Sequence, residues 1–198
     1  AGLACAFVDR GYWMEFGVYK ALTITSIAGY RSKKLAAAAN AGVIPASFEG
    51  YQALRVLGFD SFRGLPEDWR DVWRKTEDGK AVRVAAKQSR GLFSLGGKPP
   101  ALPADLQHAI KWEIGWYNET LPRFLEAHPS GNVTFVHVDC DLYSSTKTVL
   151  DQLAPRLQVG TVLVFDELFN YPEYRWHELL ALWEFLRDNK RFAMRPLA

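Results

Sequence analysis

The sequence predicts an α/β fold, a doubly wound and mostly parallel sheet, and three observations lead there. Short apolar runs rich in β-branched and aromatic residues alternate with segments of helical spacing. Two of these runs end in acids: residues 133–138 run into Asp139-Cys140-Asp141, and residues 161–165 into Asp166-Glu167. The segment between them, 144–159, carries Val149, Leu150, Leu153 and Leu157 at helical spacing and closes at Gly160, so the unit reads β-α-β with parallel strands.

The remaining elements follow in chain order. Residues 11–19 form the first expected strand, through Trp13-Met14-Glu15-Phe16-Gly17-Val18-Tyr19, and lead into a helix over 23–39. Residues 54–60 form the second strand, closed by Asp60, with a turn over 61–66. From 67 to 109 the chain is first charged and then rich in Gly and Pro, with Trp69 and Trp73 near its start. Excursions that long between strands usually serve as lids or binding loops, and a disordered or merely decorative insertion is the alternative reading. A third strand over 110–117 precedes Asn118-Glu119-Thr120-Leu121-Pro122, whose polar residues and early Pro open a helix towards His128. After the two acidic strands comes a helix over 174–189 with a core-facing stripe of Leu179, Leu182, Trp183 and Leu186. Residues 191–197 read as one more strand.

Residues 1–198, 48% of them hydrophobic, suit a single domain with a sizeable core. A formal net charge of +2 without single-sign blocks gives no argument for nucleic acid and favours a small-molecule partner. No apolar stretch reaches the roughly 18 residues a membrane helix needs, so no membrane partner is expected. Cys5 and Cys140 are too few for a disulfide framework, which predicts a reducing, cytoplasmic setting. The first residue is Ala1 and a strand is expected within a dozen residues, which reads as a trimmed piece of a longer protein. Surplus Trp and Phe leave apolar surface for a homo-oligomer contact.

Parallel neighbours place their C-terminal ends side by side, and open α/β sheets bind ligands at that edge. Four carboxylates gathered there repel one another and ask for a divalent cation with oxygen ligands, Mg²⁺ first. The side-chain period of two places His137, Asp139 and Asp141 on one face if the strand stays regular. His137 also reads as a satisfied core histidine, whereas Asp is almost never fully buried unless paired. Cys140 reads as strand filler. Glu15-Phe16-Gly17 closes the first strand where a backbone approaches a ligand, and Asp60 is placed to accept hydrogen bonds from ribose hydroxyls. The same residues also suit a tight turn and a helix-capping acid, and Asp60 lies about twice as far beyond Gly17 as the roughly 20 residues of a dinucleotide fingerprint. His177-Glu178 lacks the second His of a zincin helix.

Five blocks in order resemble one family: Glu15-Phe16-Gly17-Val18-Tyr19, Phe59-Asp60-Ser61-Phe62-Arg63-Gly64-Leu65-Pro66, Gly115-Trp116-Tyr117-Asn118-Glu119-Thr120-Leu121-Pro122, His137-Val138-Asp139-Cys140-Asp141-Leu142-Tyr143-Ser144-Ser145-Thr146 and Phe165-Asp166-Glu167. They look like the macrocin O-methyltransferases, class I S-adenosylmethionine-dependent enzymes with a Rossmann-like fold that methylate sugar hydroxyls on macrolide and aminocoumarin antibiotics. The resemblance implies that Glu15, Gly17, Val18, Tyr19, Asp60, Ser61 and Trp116 line the S-adenosylmethionine site. It implies Mg²⁺ or Mn²⁺ held by Asp139, Asp166 and Glu167, and Asp141 as general base with His137 as the next candidate. Three departures stand out. Ala21 replaces a frequent Gly, Glu167 replaces a common Asp, and there is room for little of the strand hairpin with which the fold ends.

Two rival readings remain at this level. Asp139-Cys140-Asp141 is also the D-x-D spacing of a metal-dependent glycosyltransferase, although that leaves Glu15, Gly17, Asp60, Asp166 and Glu167 idle. A non-catalytic cofactor-binding module suits Ala21 and the missing hairpin, against which both acidic knots are retained.

Overall fold

The computed structural model describes residues 11–42, 55–69, 72–84 and 88–197; Cys5 and Leu54, the expected start of the second strand, lie outside them. The strands among these residues are β1 (Tyr12–Phe16), β2 (Val56–Asp60), β3 (Val72–Lys75), β4 (Ala81–Val84), β5 (Ile110–Ile114), β6 (Val133–Val138) and β7 (Leu157–Phe165). The helices are α1 (Leu22–Asn40), α2 (Tyr117–Ala127), α3 (Tyr143–Leu153) and α4 (Glu178–Asp188). Five strands form one sheet in the order β5-β2-β1-β6-β7, and every neighbouring pair is parallel. The order reverses between β1 and β6, the place where such sheets open a ligand crevice.

Alternation along the central strands sends side chains to two faces. Trp13, Val56 and Phe135 pack with Ile24 and Ile27 of α1 on one side. Met14, Phe59 and Val136 pack with Leu121 of α2 and Val149 of α3 on the other, so the sheet is covered on both faces as expected. All six residues of β6 are buried, which is why this run is almost unbroken in apolar character. No helix among the described residues is long and apolar enough to cross a membrane.

Several boundaries differ from the sequence expectation, each for a local reason. The helix expected over 144–159 stops at Leu153 and tightens into a 3₁₀ turn, Ala154–Arg156, around Pro155, whose ring cannot continue a helix interior. β7 therefore begins at Leu157 and passes through Gly160 at φ 93, where its register with β6 shifts between Val133 and Phe135. The third strand ends at Ile114 because Gly115, at φ 143, breaks it. Pro122 lies inside α2, where the carbonyl it cannot bond belongs to exposed Asn118. The stripe on α4 runs through Glu178, Ala181, Leu182 and Phe185, leaving Trp183 56% exposed. Residues 191–197 form no strand, so β7 is the sheet's edge among the described residues. The excursion holds an antiparallel hairpin of β3 and β4, turned by Thr76 to Lys80 with Gly79 at φ 78. Ala21, at φ 62, caps α1 in a left-handed conformation that costs a side chain about 1–2 kcal/mol, which is the physical reason a glycine suits this position.

α3 and α4 are joined through Leu150, fully buried against Leu182 and Phe185. Leu150→Ala should lower stability by about 2–5 kcal/mol in urea unfolding, the cost of an unfilled core site. A loss under about 1 kcal/mol would show that α4 does not depend on this contact.

Candidate functional site

The site begins where β1 and β6 end. A Cβ on Gly17 would lie 1.7 Å from the Asp139 carbonyl oxygen, and Gly17 holds φ +89, so no other residue fits without moving one strand end from the other. The Asp139 N–H donates to the Phe16 carbonyl at 2.9 Å and the Gly17 N–H to that of Phe59 at 3.1 Å, which locks the three loops after β1, β2 and β6 together.

Asp60, at the end of β2, spends most of its carboxylate on backbone. Oδ2 accepts the N–H of Val18 and of Tyr19, each at 2.9 Å, and Oδ1 accepts that of Phe62 at 2.7 Å. A carboxylate offers about four lone-pair sites, so little more than one is left for a ribose hydroxyl. Asp60 is thus first the residue that orders the loop over 17–19. Ser61 is buried with its hydroxyl accepting the Arg63 N–H at 3.0 Å, while Trp116 caps α2 in extended backbone.

Glu15 and His137 do not reach the cavity. They are register partners across β1 and β6, only 1% and 5% exposed, with Oε2 and Nδ1 3.6 Å apart. Burial pushes the Glu15 carboxyl up, more than the contact with His137 lowers it. Burial pushes His137 down, but the Glu15 carboxylate more than offsets this and leaves it above its ordinary value. His137 is therefore the core histidine of the two readings and not a base facing solvent. The period of two that was to align it with Asp139 and Asp141 ends with the strand at Val138, and Asp141 turns to φ 60.

Asp139, Asp141, Asp166 and Glu167 line one cavity of about 830 Å³, within the roughly 300–1,000 Å³ typical of small-molecule sites. Gly17, Tyr19, Asp60, Ser61 and Trp116 line the same cavity. The Asp139 carboxyl is pushed up to about 7, first by burial and then by Asp166, with Glu15 and Glu167 adding to it and His137 opposing. Among the described residues, no group of three or more His, Cys, Asp or Glu side chains is arranged to hold a metal. Asp139, Asp166 and Glu167, the expected ligands, are not grouped in that way, although all three line the cavity. The donor chemistry nevertheless suits Mg²⁺, which is usually held through one or two carboxylates and keeps several waters. Cys140 is buried against the Phe16 carbonyl, filler as expected.

Sequence reasoning missed Glu178 and Tyr117. The Glu178 carboxylate, fully buried at the start of α4, accepts the Cys140 N–H at 3.0 Å and the Glu167 N–H at 3.3 Å. Burial pushes it up to about 8 against the pull of those amides. Tyr117 lines the cavity with its ring edge on Phe16, its phenol held well above the ordinary range, first by burial. An acid in a helix's first turn and an aromatic after a strand are too common to single out.

The excursion forms the far wall. Residues Leu65 and Trp69 pair with the return limb through Leu65 N–H to Leu92 carbonyl and Trp69 N–H to Gln88 carbonyl, at 2.9 and 2.8 Å. Leu65 and Trp69 pack on Leu142, just beyond Asp141, and Glu67 accepts the Ser144 hydroxyl at 2.5 Å. The side chain of Trp73, the other expected cover, lies outside the described residues.

A family model described as Macrocin-O-methyltransferase (TylF) matches residues 44–181. The chain is 32% identical over 124 residues, 60% of its length, to the 8-demethyl-8-(2,3-dimethoxy-alpha-L-rhamnosyl)-tetracenomycin-C 4'-O-methyltransferase of Streptomyces olivaceus. That match covers 43% of the relative, so the chain spans less than half the length of the curated protein it resembles. Among solved structures it is similar to CalS11, a calicheamicin methyltransferase, with TM-score 0.66 and 26% identity over 99% of this chain and 72% of that one. The O-methyltransferase NovP shares the fold at TM-score 0.56 and 19% identity, over 96% of this chain and 70% of its own.

Asp139 binds its proton more tightly folded than unfolded, its carboxyl rising from 3.8 to about 7, so its contribution to stability is present at acid pH and is lost as pH rises through that window. In chelator, the melting temperature of the wild type should fall between about pH 4 and 8 more steeply than that of Asp139→Asn. Parallel profiles would show that Asp139 titrates normally.

Proposed function

Because the chain belongs to the macrocin-O-methyltransferase family, we propose that it is an S-adenosylmethionine-dependent, divalent-metal-assisted O-methyltransferase acting on a hydroxyl of a sugar or glycosylated natural product. The observation that carries this reading is one cavity at the strand-order reversal, lined by Gly17 and Asp60 together with four more carboxylates. The relatives support the acceptor class, since CalS11 and the tetracenomycin enzyme both bear names of natural-product methyltransferases. Family membership favours this reading over the glycosyltransferase and non-catalytic ones.

S-adenosylmethionine supplies a methyl group on a sulfonium, which leaves sulfur as the acceptor oxygen bonds to carbon on the opposite side. The protein's part is mainly positioning. Gly17 lets the backbone come close, Asp60 orders the loop over 17–19, and Trp116 offers a flat apolar face. Asp141 takes the hydroxyl proton as the carbon–oxygen bond forms. Asp139, Asp166 and Glu167 are the residues that would hold Mg²⁺, which would lower the pKa of a coordinated hydroxyl and relieve the repulsion that raises Asp139. Trp69, Gln88, Arg90 and Phe93, which the excursion contributes to the cavity lining, exclude water from the reacting centre. The same reading takes residues 1–198 as one domain in a reducing cytoplasm, consistent with the free buried Cys140, and takes the exposed Trp176 and Trp183 as a homo-oligomer contact.

The decisive experiment is calorimetric titration with S-adenosylmethionine and with a nucleotide-sugar, each with and without Mg²⁺, followed by transfer of labelled methyl to deoxysugar glycosides. Affinity for the nucleotide-sugar alone, with no binding of S-adenosylmethionine, would overturn the assignment. Asp60→Ala should weaken S-adenosylmethionine by about 1–3 kcal/mol, because three backbone donors lose a charged acceptor and the loop over 17–19 loosens. Unchanged affinity would remove Asp60 from the cofactor site.

Asp139 and Asp141 should separate. Asp139→Asn is expected to abolish both the rise in melting temperature caused by Mg²⁺ and turnover. Asp141→Asn should keep that thermal response and the cofactor affinity while turnover drops about 10²- to 10⁴-fold. Equal loss of the metal response in both variants would make Asp141 a ligand.

A further inference from the structure

We propose that Glu178 is a positioning residue for the acceptor half of the site: its single buried carboxylate clasps the two acid-bearing loops and sets their spacing. What the loops do rests on the methyltransferase reading above; the clasp itself does not.

Each amide that Glu178 binds neighbours a cavity-lining acid. Cys140, bonded to Oε1, stands between Asp139 and Asp141, and Glu167, bonded to Oε2, follows Asp166. One carboxylate therefore bridges the loop after β6 to the loop after β7, just beyond their last shared rung, where the Asp166 N–H meets the Val138 carbonyl at 3.0 Å.

A carboxyl group is the fitting side chain because each of its oxygens keeps a lone pair for an N–H in either protonation state, whereas the NH₂ of glutamine offers none. Burying an acid beside other acids is costly, which is why its carboxyl is pushed up to about 8, and docking α4 does not require it, since Leu182 and Phe185 already pack α4 on Leu150 and Ala154. The cost falls at the one position from which α4 reaches both acidic loops. Outer groups of this kind orient ligands, and their removal typically weakens metal affinity or activity about 10- to 100-fold.

Hydrogen exchange tests the clasp in the wild type first. The Cys140 and Glu167 amides should be protected, and exchange at open-loop rates would overturn the proposal without any variant. In Glu178→Gln, exchange in segments 139–142 and 166–169 should quicken by about tenfold or more, as expected when a buried N–H loses its acceptor, while segments 16–20 and 60–63 stay unchanged. Mg²⁺ titrated by calorimetry should bind Glu178→Gln about 10- to 100-fold more weakly than wild type, with S-adenosylmethionine affinity held within about twofold. Unchanged exchange together with unchanged Mg²⁺ affinity overturns the proposal. So does a parallel fall in S-adenosylmethionine affinity, which marks Glu178 as general structural support. A wild type that binds no Mg²⁺ removes the metal reading alone, and the exchange result then decides the clasp.

Discussion

A sheet whose strands all run the same way delivers every strand end to one edge, and beyond the last rung the backbone amides there have no ladder to join. In this chain two carboxylates answer that deficit. Asp60 gathers the amides of Val18, Tyr19 and Phe62, and Glu178 gathers those of Cys140 and Glu167. Between these two clamps, Gly17 presses against the Asp139 carbonyl so closely that not even a methyl group could intervene. The cavity is what these contacts leave open.

The acids at the edge consequently divide into two kinds. Asp60 and Glu178 are satisfied by backbone donors and hold geometry. Asp139, Asp141, Asp166 and Glu167 line the cavity, and Asp139 is raised to about 7 by burial and by its neighbours, a strained arrangement that suits binding more than folding. Beneath them, Glu15 and His137 face each other across β1 and β6, buried and shielded from solvent. Leu65, Glu67 and Trp69 are attached at the same edge, through Leu142 and Ser144 just past Asp141, which places the start of the excursion and the acid loops on one support.

Much of this was readable from residues taken in order. Apolar periodicity separated strands from helices, and the run over 133–138 carried so few polar positions because all of it is buried. Asp60, Asp139 and Asp166 could be singled out because an acid at the end of an apolar strand has few structural explanations. His137 was placed correctly only in its core reading, since the alternation that linked it to Asp139 and Asp141 holds only while the strand lasts. The end of α3 at Leu153 and the exposure of Trp183 followed from Pro155 and from a stripe rotated towards Glu178, details that spacing alone leaves open.

By itself, then, the sequence determined the order of the five sheet strands and the helices between them, their parallel sense and the gathering of acids at one edge, because each depends on short-range periodicity and on where a strand stops. Only the tertiary structure decided which acid faces the cavity and which faces backbone. Asp60 meets Val18 across 42 positions and Glu178 meets Cys140 across 38, and no local pattern encodes a partner that distant. A carboxylate's role is set by the donors that surround it once the chain has folded, and those donors are mostly amides, which every residue but proline carries alike.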